Sequence, residues 1–177
     1  MSTLPQLIMR QPDITRLQPL ELPDGYEIYC HRENCGMESE WEEIINSAFG
    51  TYFPFDFLIK AGSYNPEHVL YLAYNGRAVA TITVVENQNY PGEGWYRMLG
   101  VRSDFKGMGA GRLIALAALY ALRERGYKTV LLSTDDHRIP AIGLYLSLGF
   151  KPVYSHESHA GRWEKVLSIM DKDRSAF

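Results

Sequence analysis

Residues 105–122 read FKGMGAGRLIALAALYAL, with glycines at 107, 109 and 111 standing directly before a long apolar run. Glycine takes positive φ without steric cost and lets a backbone approach closely. The stretch therefore reads as a tight loop that opens a helix from Gly109 to Arg125, stopped at Gly126. A helix start offers unpaired N–H groups and the positive end of the dipole, which suits a phosphate. A tight turn with close helix–sheet packing explains the same glycines equally well. A Walker loop is excluded, because no Gly-Lys follows at the required spacing. A dinucleotide fingerprint would need glycine where Arg112 stands, although Asp135 and Asp136 end the next strand about where a ribose-binding acid belongs.

What precedes the loop argues against that fingerprint. HVLYLAYNGRAVATITVVEN, residues 68–87, is a hairpin with strands of about 69–74 and 77–86 joined at Asn75-Gly76, the pairing favoured by a type I′ turn. GWYRMLGV, residues 94–101, is the next strand, with Gly100 where a bulge or a close backbone approach is expected. A Rossmann unit would begin a parallel sheet, whereas this loop follows an antiparallel meander. Upstream, a strand from Tyr26 leads into a helix with Trp41, Ile44, Ile45 and Ala48 at helical spacing, and a second helix is expected near Asp56 to Gly62. The aromatic cluster Tyr52, Phe53, Phe55, Phe57 and Tyr64 reads as core, with a substrate-pocket wall as the alternative. After the glycine helix come a strand at about 128–133, a helix from Ile139 to Leu148, and two closing strands in FKPVYSH and RWEKVLSIM. The order is β-α-α-β-β-β-α-β-α-β-β.

The chain of 177 residues fits one domain. Residues 1–24, with four prolines, read as an extended leader, 25–170 as a single domain and 171–177 as a tail. A net charge of −3 with no run of Lys or Arg gives no reason to expect nucleic acid. No apolar run reaches the length of a membrane span and no cleavable signal is visible, so the cytoplasm is the expected compartment. Cys30 and Cys35 read as free thiols, and no metal site is expected.

LGVRSDFKGMGAGRL followed by IPAIGLYLSLGF resembles the two signature motifs of the GNAT superfamily of acyl-CoA-dependent N-acetyltransferases. The first motif, [QR]-x-x-G-x-[GA], is met by Lys106-Gly107-Met108-Gly109-Ala110-Gly111, with Lys in the place of Gln or Arg. The second is met from Ala141 through Leu144, Tyr145, Gly149 and Phe150, with Arg138 where Asn is common. The resemblance implies an α/β fold, a mixed and mostly antiparallel sheet splayed at the fourth strand of the order above and flanked by about four helices. It implies acetyl-CoA as co-substrate, with Lys106 to Arg112 holding the pyrophosphate. Leu99, Gly100 and Val101 would line the pantetheine arm, and Arg138 and Tyr145 would complete the coenzyme site. The partner is expected to be a small-molecule amine, with no membrane partner, and a homodimer is compatible with the family.

Transfer to an amine needs a neutral nucleophile, donors for the oxyanion and an acid for the thiolate. Tyr145 falls at the family position of that acid, and the backbone N–H of Leu99 is the candidate oxyanion donor. Alternation places Trp95, Arg97, Leu99 and Val101 on one face, so Arg97 stands where the family often has a base. Arginine cannot act as one, and it reads either as a holder of an acidic acceptor group or as a surface cation. Glu86 and Glu93 are candidate bases, with proton loss to water as the alternative. His137, His156 and His159 receive no role. A catalytically silent acyl-CoA sensor is the rival class, and a nucleotide-binding oxidoreductase a third.

Overall fold

The computed structural model describes residues 4–32, 36–60 and 65–175. Seven strands, β1 (Leu7–Gln11), β2 (Tyr26–Cys30), β3 (Val69–Tyr74), β4 (Arg77–Glu86), β5 (Gly94–Val101), β6 (Val130–Thr134) and β7 (Lys151–Val153), make one sheet. Their order is β2-β3-β4-β5-β6-β1-β7. All neighbours are antiparallel except β5 and β6, which run parallel. The α-helices are α1 (Glu38–Phe49), α2 (Asp56–Lys60), α3 (Ala110–Glu124), α4 (Ile139–Ser147) and α5 (His159–Ser175). The expected parallel neighbours linked through the glycine helix are thus present. Asn75 and Gly76 both have positive φ, 48° and 77°, as a type I′ turn requires.

Alternation along the strands divides the core by face. Trp41, Ile44 and Ile45 of α1 and Leu58 of α2 pack on Val69, Tyr71 and Ala78. On the other face, Ile114, Ala118 and Leu122 of α3, Ile142 and Tyr145 of α4 and Trp163 and Val166 of α5 pack on Leu70, Leu72, Val84 and Leu132. Val85, Trp95 and Leu131 form a small separate cluster with Ile8 and Tyr90.

Four expectations need correction. The segment read as an irregular leader contains β1, which pairs with both β6 and β7; Leu7 and Met9 are fully buried, and Pro5 and Pro12 bound the strand. RWEKVLSIM is helical, part of α5, because Trp163, Val166 and Met170 repeat at helical spacing on its buried side. That helix also runs on through residues 171–175 of the segment expected as a tail. Of the two readings of Gly100 the close approach holds, since a Cβ there would meet Ile45 at 2.9 Å, and β5 bulges earlier, at Met98, whose φ is +53°. The bulge also breaks the alternation: Arg97 contacts Phe57 beside α1 and α2, whereas Leu99 and Val101 pack on the α3 side. Cys30 is half-buried on β2. Cys35, Tyr64 and the end of the expected second helix at 61–62 lie outside the described residues.

Candidate active site

The site is an opening in the sheet. β5 and β6 are in register only at Gly94–Val130, Trp95–Leu131 and Tyr96–Leu132. On the other edge of β5, Thr83 pairs with Arg97 but Thr81 pairs with Gly100, so an extra residue of β5 is accommodated at the bulge. The left-handed Met98 turns β5 at the point where its pairing with β6 stops. Beyond Tyr96, the β6-facing edge of β5 is unpaired among the described residues, which leaves a strand edge for an extended ligand.

The glycine loop lies at the exit of β5. Gly107 and Gly109 have φ of +78° and +85°, and a Cβ on either would meet nothing within 4 Å. The amides of Gly107, Gly109, Ala110 and Gly111 have no acceptor among the described residues, while Arg112 and Leu113 already donate to the Gly109 carbonyl. Gly109 caps α3, so these donors sit at its positive end. Gly111 differs, because its Cβ would touch Leu144 and Val101 at 3.4 Å. Two glycines thus face open space, and a Cβ at the third would make ordinary contact with α4 and β5. Arg112 is tied down, donating to Ser147 at 3.0 Å and to Gln18. Met108 is exposed, and Lys106 has no side-chain partner among the described residues.

A cavity of about 950 Å³ runs through the opening. Leu99 and Tyr145 line it and belong to the core on the α3 face; Phe49, Phe53 and Met98 line it and belong to the α1 face. Residues of both faces meet on one cavity only because the sheet is open between them. Tyr145 is buried and packs on Phe150. Burial pushes its phenol up to about 12, with the Arg138 guanidinium pulling the other way. Its neighbour Tyr96 donates to the Ala115 carbonyl and is likewise held well above the ordinary phenol range by burial.

Arg97, Arg138 and Glu86 also line the cavity, whereas none of Lys106 to Arg112 does. Arg138 stands at the N-cap of α4, 3.9 Å from the Phe49 ring centre and 3.4 Å from Asp135. Glu86 pairs with Gly94, five residues before Leu99, at most about 16 Å of strand away at ~3.3 Å per residue. Glu93 is engaged by Arg10. Asp136, weighed as a ribose ligand, accepts from Arg162 at 2.8 Å and ties the β6 exit to α5. His159 is buried against the Val153 carbonyl. Sequence reasoning missed Phe49 and Gln6 as cavity residues; Phe49 carried only the signal of an apolar helix end, and Gln6 none. The aromatic cluster divides, with Phe55 in the core and Phe53 and Phe57 on the cavity.

Residues 30–150 match the model of the family described as "Acetyltransferase (GNAT) family". A mycothiol acetyltransferase of Thermobifida fusca is 46% identical over 54 residues, which are 30% of this chain and 17% of that protein. One from Nocardia farcinica is 37% identical over 78 residues, 44% of this chain and 26% of that protein. The chain thus matches less than a third of the length of either relative. Among solved structures, a GCN5-related N-acetyltransferase from Sphaerobacter thermophilus superposes with a TM-score of 0.69 at 25% identity, covering 85% of this chain and 50% of that one.

Proposed function

The chain belongs to the GNAT acetyltransferase family, and from that premise we propose that it transfers the acetyl group of acetyl-CoA to the primary amine of a small acceptor by direct attack in a ternary complex. The observation that carries this reading is the sheet opening between β5 and β6, where Tyr145 from one face and Phe49 and Phe53 from the other line one cavity. The co-substrate's pyrophosphate fits the free amides of Gly107, Gly109, Ala110 and Gly111, its pantetheine fits the unpaired edge of β5 around Leu99, Gly100 and Val101, and its thioester then reaches the cavity beside Tyr145.

In the transfer, the amine nitrogen forms a bond to the acetyl carbon, the C–S bond breaks, and the amine gives up a proton. The Leu99 N–H is the donor assigned to the carbonyl oxygen as it gains charge. Glu86 is too far along β4, and Glu93 is paired, so the amine proton passes to water. Tyr145 is assigned to the sulfur. A free thiol has a pKa near 8.5, so full proton transfer from a phenol at about 12 is uphill by roughly 5 kcal/mol. Hydrogen-bond donation to the developing thiolate carries no such cost. Tyr145 therefore acts as a neutral donor that stabilises the thiolate, rather than as the proton source expected from the family position.

The test has two parts. Acetyl-CoA, and not NAD, is expected to raise the melting temperature, since a ligand at 100 times its Kd stabilises by about 2.7 kcal/mol. Thiol release from acetyl-CoA is then followed with a panel of small amines. Stabilisation by acetyl-CoA with no thiol released for any amine would point to the silent binding module. Stabilisation by NAD alone would overturn the assignment.

A further inference from the structure

Most half-buried arginines of this fold have acceptors; among the described residues Arg97 and Arg123 have none, and Arg123 lies over Tyr120 away from the cavity. Arg102 donates to the Ala78 carbonyl at 2.7 Å and pairs with Glu43 at 2.7 Å; Arg162 holds Asp136. Arg97 departs from this pattern. It is half-buried on β5, directly before the left-handed Met98, and lines the cavity. Its guanidinium carbon lies 5.1 Å from the Phe57 ring centre, and none of its N–H groups has an acceptor among the described residues. A guanidinium keeps its charge at any working pH, so burial leaves it in want of an anion. Burial indeed lowers its pKa with no carboxylate opposing the effect.

The rest of the cavity shows what that anion is attached to. Phe49, Phe53 and Phe57 form a continuous row, with ring centres 5.6 Å and 5.3 Å apart. At the Phe49 end, Arg138 is balanced by Asp135, which also accepts from Gln6 at 3.0 Å. At the Phe57 end, Arg97 is unbalanced. Glu86 is exposed at the end of β4, adds to the burial that raises the Tyr127 phenol, and does not offset the effect of burial on Arg97. Arg97 and Leu99 flank the left-handed Met98 and line the same cavity, so a group held at Arg97 shares that cavity with the reacting carbonyl.

We propose that the acceptor is a small amino acid with an apolar side chain, its carboxylate held by the planar fork of Arg97 and its side chain laid on the Phe49–Phe53–Phe57 row. This deepens the acetyltransferase reading and rests on it. A carboxylate matches the fork with two parallel hydrogen bonds, which a single ammonium could not offer in return.

Calorimetry in the presence of CoA tests the proposal without turnover, using N-acetyl-L-phenylalanine and its amide as probes that differ only in the anion. The acid is expected to bind at least about tenfold more tightly than the amide, as loss of a charge-assisted bidentate pair implies. Arg97→Gln is expected to abolish the difference, and Arg97→Lys to restore part of it. Equal binding of acid and amide, failure of both to bind, or a preference that survives in folded Arg97→Gln would overturn it. If the variant does not fold, the acid-to-amide ratio of the unmodified protein still decides. Acetyl-CoA consumption with L-phenylalanine is scored separately, so a failure of catalysis is distinguishable from a failure of carboxylate recognition.

Discussion

At the scale of single residues, the position of Tyr145 was legible in the second motif but its ionisation was not. Its burial depends on Phe150 and on the core beneath α4, contacts that no local pattern encodes. Burial disfavours the phenolate and raises the pKa to about 12. The sign of the consequence is clear: below its pKa the group is neutral and able to donate, so the donor role proposed for it would persist through the alkaline range and fade only near pH 12. The rate is therefore expected to show no Tyr145-dependent fall between pH 8 and 10. Tyr145→Phe is expected to lower kcat by roughly ten- to a hundredfold, about equally across that range, with little change in acetyl-CoA affinity. Steady-state kinetics under conditions where chemistry limits the rate would check it. A high-pH limb near 9 that disappears in Tyr145→Phe would show that the phenol titrates there, against the burial argument. An unchanged kcat would remove Tyr145 from the chemistry.

At the scale of elements, the glycine loop shows how one motif can hold two physical requirements. Gly109 is left-handed and its missing side chain faces open space, so Gly109→Ala meets no clash and pays backbone strain of about 1–2 kcal/mol. Gly111 has ordinary φ, and its Cβ would make normal contacts with Leu144 and Val101. Gly111→Ala should therefore be tolerated, with helix propensity offsetting by about 0.5–1 kcal/mol. CoA affinity is expected to fall in Gly109→Ala and to hold in Gly111→Ala, measured by calorimetry beside denaturant unfolding. A Gly109→Ala protein that is destabilised but binds CoA normally would reduce the loop to a turn. The loop, α3 and the Asn75-Gly76 hairpin were legible because their signals are local: punctuating glycines, apolar periodicity and a two-residue turn. α5 was misread because a short apolar pattern can be counted at period two, although Trp163, Val166 and Met170 already carried the helical spacing. The Met98 bulge had no signal, since it is set by the pairing of β4 with β5, and so the face of Arg97 could not be assigned from alternation.

At the scale of the molecule, the sheet depends on a strand that sequence reading passed over. β1 has five residues between two prolines, too few for its alternation to stand out, and its reason for being a strand lies in distant partners. It pairs with β6 on one side and β7 on the other, and so joins α4, α5 and β7 to the part of the sheet that opens. The segment just before it also reaches the site, where Gln6 lines the cavity and donates to Asp135. If β1 is an integral strand, its inward side chains must count as core. Met9 is fully buried, whereas Leu4, just before the strand, is 61% exposed. Met9→Ala is expected to cost about 2–4 kcal/mol, as removal of a buried side chain of that size does. Leu4→Ala should change stability by less than about 0.5 kcal/mol. Chemical denaturation of the two variants checks the contrast. The Met9→Ala transition should remain a single step, because β1 is hydrogen-bonded into the sheet on both edges and cannot separate without exposing β6. A Met9→Ala protein as stable as Leu4→Ala, or one that unfolds in two steps with an early phase confined to β1, would show that the strand is an appendage laid against a core that stands without it.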